Sequence, residues 1–198
     1  MKKIQYLALF LLLILLLTGC SQSAANMDFD NFSNEKIITY KHRKGNELND
    51  YAAVILFEYE MDNYTKYQVS YLSCTCRAAS ENYQHLLYVE INNNNNSPEE
   101  ATIRNISYHF WGDSPTNPVN GVTYEEIEKE LLPYLQYKSK AEVDGLNTLR
   151  DIKDAGQVER SGQKVDFVDA YTGATVSVDN TLAVLHALFD YHVNKYYK

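Results

Sequence analysis

Between residues 51 and 110 the chain carries apolar residues at consecutive or alternating positions in four runs: Tyr51–Tyr59, Lys66–Leu72, His85–Ile91 and Ala101–Phe110. Runs of this length and period pack as strands that bury one face, and no helical period appears before they end. The polar tract Asn92-Asn93-Asn94-Asn95-Asn96-Ser97-Pro98 separates the last two, so they are expected to form a hairpin with a long tip. Gly112-Asp113-Ser114-Pro115-Thr116-Asn117-Pro118 then breaks the chain, and the pattern changes. Thr123 and Glu126 have the spacing of a capping box, and Ile127, Leu131, Leu132 and Leu135 follow on one helical face, with Pro133 placed to kink or shorten the helix. Ser139 and Glu142 repeat the box for a short helix ending near Gly145, and Gly156 to Asp169 reads as extended. From about Val178 to Tyr196 the residues Leu182, Leu185, Leu188, Phe189, Val193 and Tyr196 form the apolar stripe of a final helix. Strands first and helices afterwards predict an α+β domain, a small antiparallel sheet with helices.

The first residues read differently. Met1-Lys2-Lys3 precedes an apolar run from Tyr6 to Leu17, which is too short to span a bilayer and has the form of a secretory signal. Leu17-Thr18-Gly19-Cys20 resembles the lipobox of bacterial lipoproteins, which implies lipidation of Cys20. The expected organisation is a signal peptide over 1–19, a lipid-anchored polar spacer over 20–34, and one domain over 35–198. Such a chain is held on the extracytoplasmic face of a cell membrane through its lipid. Its net charge of −8 argues against nucleic acid, whose phosphates attract a basic face.

The segment with chemical content is Asp169-Ala170-Tyr171-Thr172-Gly173-Ala174-Thr175-Val176-Ser177, a small-residue turn feeding the last helix. Unpaired N–H groups at a helix start attract an anion, and Gly173 and Ala174 let one approach the backbone. By these residues alone the segment is either a phosphate turn near Thr175 or a hydroxyl helix cap of the common kind.

Asp169, Thr172-Gly173-Ala174-Thr175 and Ser177 closely resemble the flavinylation motif of the FMN-binding domain family. That family includes flavin-carrying subunits of sodium-pumping quinone reductases and related electron-transport complexes, and extracellular flavin lipoproteins. The resemblance covers residues 165–196; a His-Glu-Thr-Pro-Gly-like segment that many members carry upstream has no counterpart. It implies that a flavin transferase esterifies Thr175 with the phosphate of FMN, that Asp169 is read by the transferase, and that Thr172, Gly173 and Ala174 shape the phosphate turn. It also implies an electron carrier supplied by a membrane quinone oxidoreductase or flavoprotein. A covalent tether suits an exported protein, because a cofactor released outside the cell is lost by dilution.

Cys74 and Cys76, two apart on a strand, share one face and form a candidate redox pair; two buried thiols are the plainer reading. They are too few for a zinc site. Trp111 is expected in the core, and His186 and His192 are expected to partner Asp190 or solvent, with no metal role. Two further readings stay open: a flavin-dependent reductase of a small substrate using Cys74 and Cys76, and a binding lipoprotein in which Thr175 only caps a helix.

Overall fold

The computed structural model describes residues 36–73, 84–93, 96–110 and 122–197. Five strands lie in sequence order in one antiparallel meander: β1 (Ile37–Lys44), β2 (Glu47–Glu60), β3 (Tyr64–Leu72), β4 (Gln84–Asn92) and β5 (Ile103–Phe110). The four expected strands are present, and β4 and β5 pair antiparallel across the asparagine tract as expected. β1 is additional. Its inward positions are Ile38, Tyr40 and His42, and interleaved lysines and arginine hide that alternation from an apolar count. Gly45 opens the two-residue turn into β2 with φ of 60°, a conformation that favours glycine.

The helical half follows the capping signals. Thr123 N–H donates to Glu126 Oε2 at 2.8 Å and Glu126 N–H donates to Thr123 Oγ1 at 3.2 Å, closing the first box. The helix α1 then runs through Tyr124–Glu126, a π-helical segment Ile127–Leu131, and Leu132–Leu135. Pro133 lacks an N–H and its ring crowds the carbonyl four residues back, and the wider π turn just before it relieves that conflict. The second box, Ser139 with Glu142, caps α2 (Lys140–Asp144). The stretch expected to be extended from Gly156 to Asp169 is a hairpin, β6 (Gln157–Arg160) and β7 (Gln163–Asp166), followed by a short helix α3 (Phe167–Ala170). Ser161 and Gly162 turn that hairpin, both with positive φ, the backbone a tight turn demands. Its last three expected residues are helical because Phe167 is buried and opens α3. A 3₁₀ turn, Thr172–Ala174, leads into α4 (Thr175–Tyr196), which begins three residues earlier than the apolar stripe indicates.

α4 crosses the inward face of the sheet antiparallel to β1. Lys36, just before β1, lies 3.4 Å from Tyr191 near the end of α4, and Arg43, near the end of β1, meets Asn180 near its start. Leu182, Leu185, Leu188 and Phe189 are fully buried against that face. Burying a side chain of this size contributes roughly 1.5–3 kcal/mol. The core is also rich in tyrosines that keep their hydroxyls bonded: Tyr71 and Tyr108 reach Thr181 Oγ1 at 3.0 and 2.8 Å, and Tyr67 reaches His192 Nδ1 at 2.8 Å. At the far end of α4, Glu58 gathers Lys36, Lys195, Tyr191 and Tyr196 around one buried carboxylate.

Neither histidine of α4 pairs with Asp190, and His186 is half-exposed. His186 Nε2 lies 2.8 Å from Val143 O, His192 is fully buried, and Asp190 pairs instead with Lys140 at 2.9 Å. Burial pushes the His85 ring down to about 3 and the His192 ring to about 4. Both are therefore neutral in the fold and bind protons in the unfolded chain below about pH 6.5. Their contribution is fully present above that pH and is lost as pH falls towards the folded values, at up to about 1.4 kcal/mol per pH unit for each ring. Urea midpoints measured between pH 7 and 5, above the carboxylate range, are expected to fall steadily. A flat profile would contradict the burial of these rings.

Candidate functional site

The turn before α4 is fastened from within. Tyr171 is fully buried, its ring packs 4.6 Å from Phe167, and its hydroxyl lies 2.7 Å from Glu126 O and 2.8 Å from Glu130 Oε2. Arg160 from β6 bonds both oxygens of Glu130 at 3.0 and 2.8 Å, pairs with Glu126 at 3.2 Å, and stands 5.3 Å from the Tyr171 ring. Burial acts to raise the Glu130 carboxyl, but the hydrogen bonds from Arg160 and Tyr171 outweigh it and hold it below its ordinary range. The π segment of α1 carries Glu130, so the irregular helix, the β6–β7 hairpin and the turn meet in one polar clamp.

With Tyr171 and Ala174 facing inward, Thr172 is left exposed and Thr175 half-exposed. Thr172 Oγ1 donates to Val168 O at 3.1 Å, and Thr175 Oγ1 donates to Thr172 O at 2.8 Å. Thr175 is the first helical residue, with φ and ψ both −48°. The N-cap position belongs to Ala174, and no side chain caps it. The plain reading of Thr175 as a helix cap is therefore corrected: its hydroxyl proton bonds backwards, and its oxygen lone pairs remain for another partner.

A cleft of about 250 Å³ opens beside Thr175, and Arg43, Gly45, Asn46, Thr148, Arg150 and Asp179 join it in the lining. Two consecutive residues of α4 hold Arg43 there. Asp179 Oδ2 pairs with Arg43 Nε at 2.7 Å, while Asn180 Oδ1 accepts from Arg43 N–H at 2.6 Å and Asn180 Nδ2 donates to Arg43 O at 3.0 Å. Asn180 also donates to Ser73 O, so it binds two chain segments to the helix. Burial raises the Asp179 carboxyl, partly offset by the Leu149 N–H and by Arg43. The one acidic group of the cleft is thus already held by Arg43 and a backbone donor at 2.7 Å.

The motif residues do not all meet in this cleft. Asp169 is exposed and lines a separate cleft of about 330 Å³ with Lys153, Gly156 and Phe167. Ser177 is buried, and its Oγ has no hydrogen-bond partner among the described residues. Cys20, Cys74, Cys76 and Trp111 lie outside the described residues. Arg43, Arg150, Asp179 and Asn180 escaped the sequence reading. The visible signal was the polar triplet Asp179-Asn180-Thr181 just ahead of the apolar stripe of the final helix, which asks for buried partners.

Compared with protein-family models, with curated proteins and with solved structures, the chain matches none.

Proposed function

We propose that the chain is a lipid-anchored, extracytoplasmic electron carrier with FMN esterified through its phosphate to Thr175. The observation that carries this is the Thr175 hydroxyl. It stands at the rim of a cleft lined by two arginines, at the uncapped start of a helix, inside a flavinylation-like motif. Tested against a phosphate ester, the donor set fits: Arg150 supplies the positive charge that is not offset within the lining, Arg43 being paired with Asp179, the first N–H groups of α4 point along the helix axis, and the helix dipole favours an anion. Asp179 is the one acidic member, and its pairing with Arg43 removes most of its repulsion.

Esterification joins Thr175 Oγ1 to phosphorus and gives up the hydroxyl proton, with the net loss of one water between FMN and chain. A bound flavin would supply one- and two-electron chemistry, and this chain's residues would position it and keep it from diffusing away. Asp169, exposed at the other side of the turn, is open to a flavin transferase. The lipid on Cys20 would hold the domain beside its electron donor, a membrane quinone oxidoreductase or flavoprotein.

The test is purification of the domain from cells that also make a flavin transferase, followed by denaturation and gel filtration. Flavin absorbance is expected to travel with the unfolded chain. In Arg150→Gln, with the fold intact, the loaded fraction is expected to fall several-fold. A colourless chain in the presence of active transferase would overturn the reading.

A further inference from the structure

Strand β2 changes the face it buries part-way along. Ala53 and Ile55 point inward, but Ile55 pairs with Val69 and Phe57 with Gln68, so Leu56 is the extra residue of a β-bulge. In a regular register Phe57 would stand opposite Tyr67 and Glu58 opposite Lys66. Phe57 and Tyr59 would then share the buried face with Ile55, and Glu58 would form a cross-strand ion pair in solvent. The bulge reverses this. Phe57 and Tyr59 are left 45% and 56% exposed, with their rings stacked at 6.3 Å. The Glu58 carboxylate goes inside, where Lys36, Lys195, Tyr191 and Tyr196 gather to satisfy it. Burying a carboxylate while exposing two aromatics runs against core formation. A strand that keeps such an inversion gives up stability for a use of its outer face.

The exposed residues are contiguous. Leu56 is 52% exposed, and Ile37, 44% exposed, lies opposite Val54, two residues before Leu56. The other large apolar side chains in solvent among the described residues are Leu48, at the far end of β2, and Tyr137, after α1. β1 begins at Ile37, so beyond Val54 it no longer pairs with β2. An apolar strip with two aromatic rings therefore lies along an open edge, where the chain coming from Cys20 enters the sheet.

A second copy of the chain and a lipid surface could both cover such a strip. A stable dimer takes roughly 20–30 residues a side, far more than Ile37, Val54, Leu56, Phe57 and Tyr59 supply. A bilayer needs no such area: leucine and phenylalanine enter its acyl boundary, and tyrosine sits at the level of its headgroups. Lys36 is sixteen residues from Cys20, a reach of no more than about 55 Å when fully extended. A lipid on Cys20 keeps the strip within that distance of the membrane, so a contact that is weak alone becomes an intramolecular one.

We propose that Ile37, Leu56, Phe57 and Tyr59 form a docking strip that seats the domain on the lipid surface carrying its anchor. This rests on the reading of Cys20 as lipidated and is independent of the flavin at Thr175. The lipid limits only the distance of the domain from the bilayer, whereas the strip sets which face lies on it.

The experiment places the lipidated protein in phosphatidylcholine–phosphatidylglycerol vesicles, with and without brominated acyl chains, the lipid on Cys20 being checked by intact mass. In Phe57→Trp, emission in excess of the wild type, which has Trp111, is expected to be quenched several-fold by the brominated chains. In Leu48→Trp, at a comparably exposed position at the other end of β2, the excess is expected to be unquenched. Adding Leu56→Glu and Tyr59→Glu to Phe57→Trp, both at exposed positions, is expected to abolish the quenching while the lipid stays on and the far-ultraviolet spectrum stays native. Equal quenching in Phe57→Trp and Leu48→Trp overturns the docking, as does quenching that survives the two glutamates. No quenching in lipidated Phe57→Trp also overturns it, and pairwise cross-linking of Phe57→Cys but not Leu48→Cys chains would then assign the strip to a second copy. A chain without lipid on Cys20 overturns the anchor, and the docking with it.

Discussion

Thr175→Val is expected to remove covalent flavin completely while leaving the domain folded. Valine keeps the size and branching of threonine, and the position is half-exposed at the first turn of α4, so among the described residues the hydrogen bond lost is the 2.8 Å bond to Thr172 O. Such a bond contributes about 1 kcal/mol, and the stability read from urea unfolding should fall by no more than that. The chemistry has no such tolerance, because without Oγ1 there is no atom to esterify. Two neighbouring hydroxyls serve as controls. Thr172→Ser keeps a hydroxyl on the turn and should retain flavin. Ser177→Ala removes a buried Oγ that has no hydrogen-bond partner among the described residues, and should retain flavin with stability unchanged or slightly raised. Flavin persisting on Thr175→Val would move the acceptor elsewhere.

Tyr171→Ala should be the most destabilising single change near the site. It empties the space of a fully buried ring against Phe167 and strips Glu130 of a hydrogen bond. Truncating a buried aromatic costs roughly 3–5 kcal/mol, a large share of a domain's stability. Tyr171→Phe separates the two parts. It keeps the ring and loses only the hydroxyl, at about 1–2 kcal/mol, so the fold survives. If the clamp of Tyr171, Glu130 and Arg160 sets the turn for transfer, flavin loading of Tyr171→Phe slows although its far-ultraviolet spectrum is native. A stability loss below about 1 kcal/mol for Tyr171→Ala would show that the clamp does not hold the turn.

The periodicities made most of this fold legible. Four strands, two capping boxes and the amphipathic final helix all depend on local residue order, and all are present. What escaped depends on partners distant in sequence. β1 looks too charged for a strand until Ile38, Tyr40 and His42 are seen facing α4. α4 starts at Thr175 and not Val178, and in its first turns Asp179, Asn180 and Thr181, polar in the sequence, are buried against Arg43, Ser73, Tyr71 and Tyr108. At the site, the turn and its exposed threonine were readable from small residues and hydroxyls. The cationic cleft was not, since Arg43 and Arg150 reach it from a hairpin and a 3₁₀ turn over a hundred residues apart.

The most direct test of the central claim is the mass of the tryptic peptide Val165–Lys195, which holds the whole motif and no internal lysine or arginine. Taken from protein made beside an active flavin transferase, it should be heavier by one FMN less one water, with fragmentation placing the addition on Thr175. The same peptide made without the transferase should carry nothing. An unmodified peptide from a folded domain in both preparations would contradict the account, and Thr175 would then be an uncapped helix start with no flavin to hold.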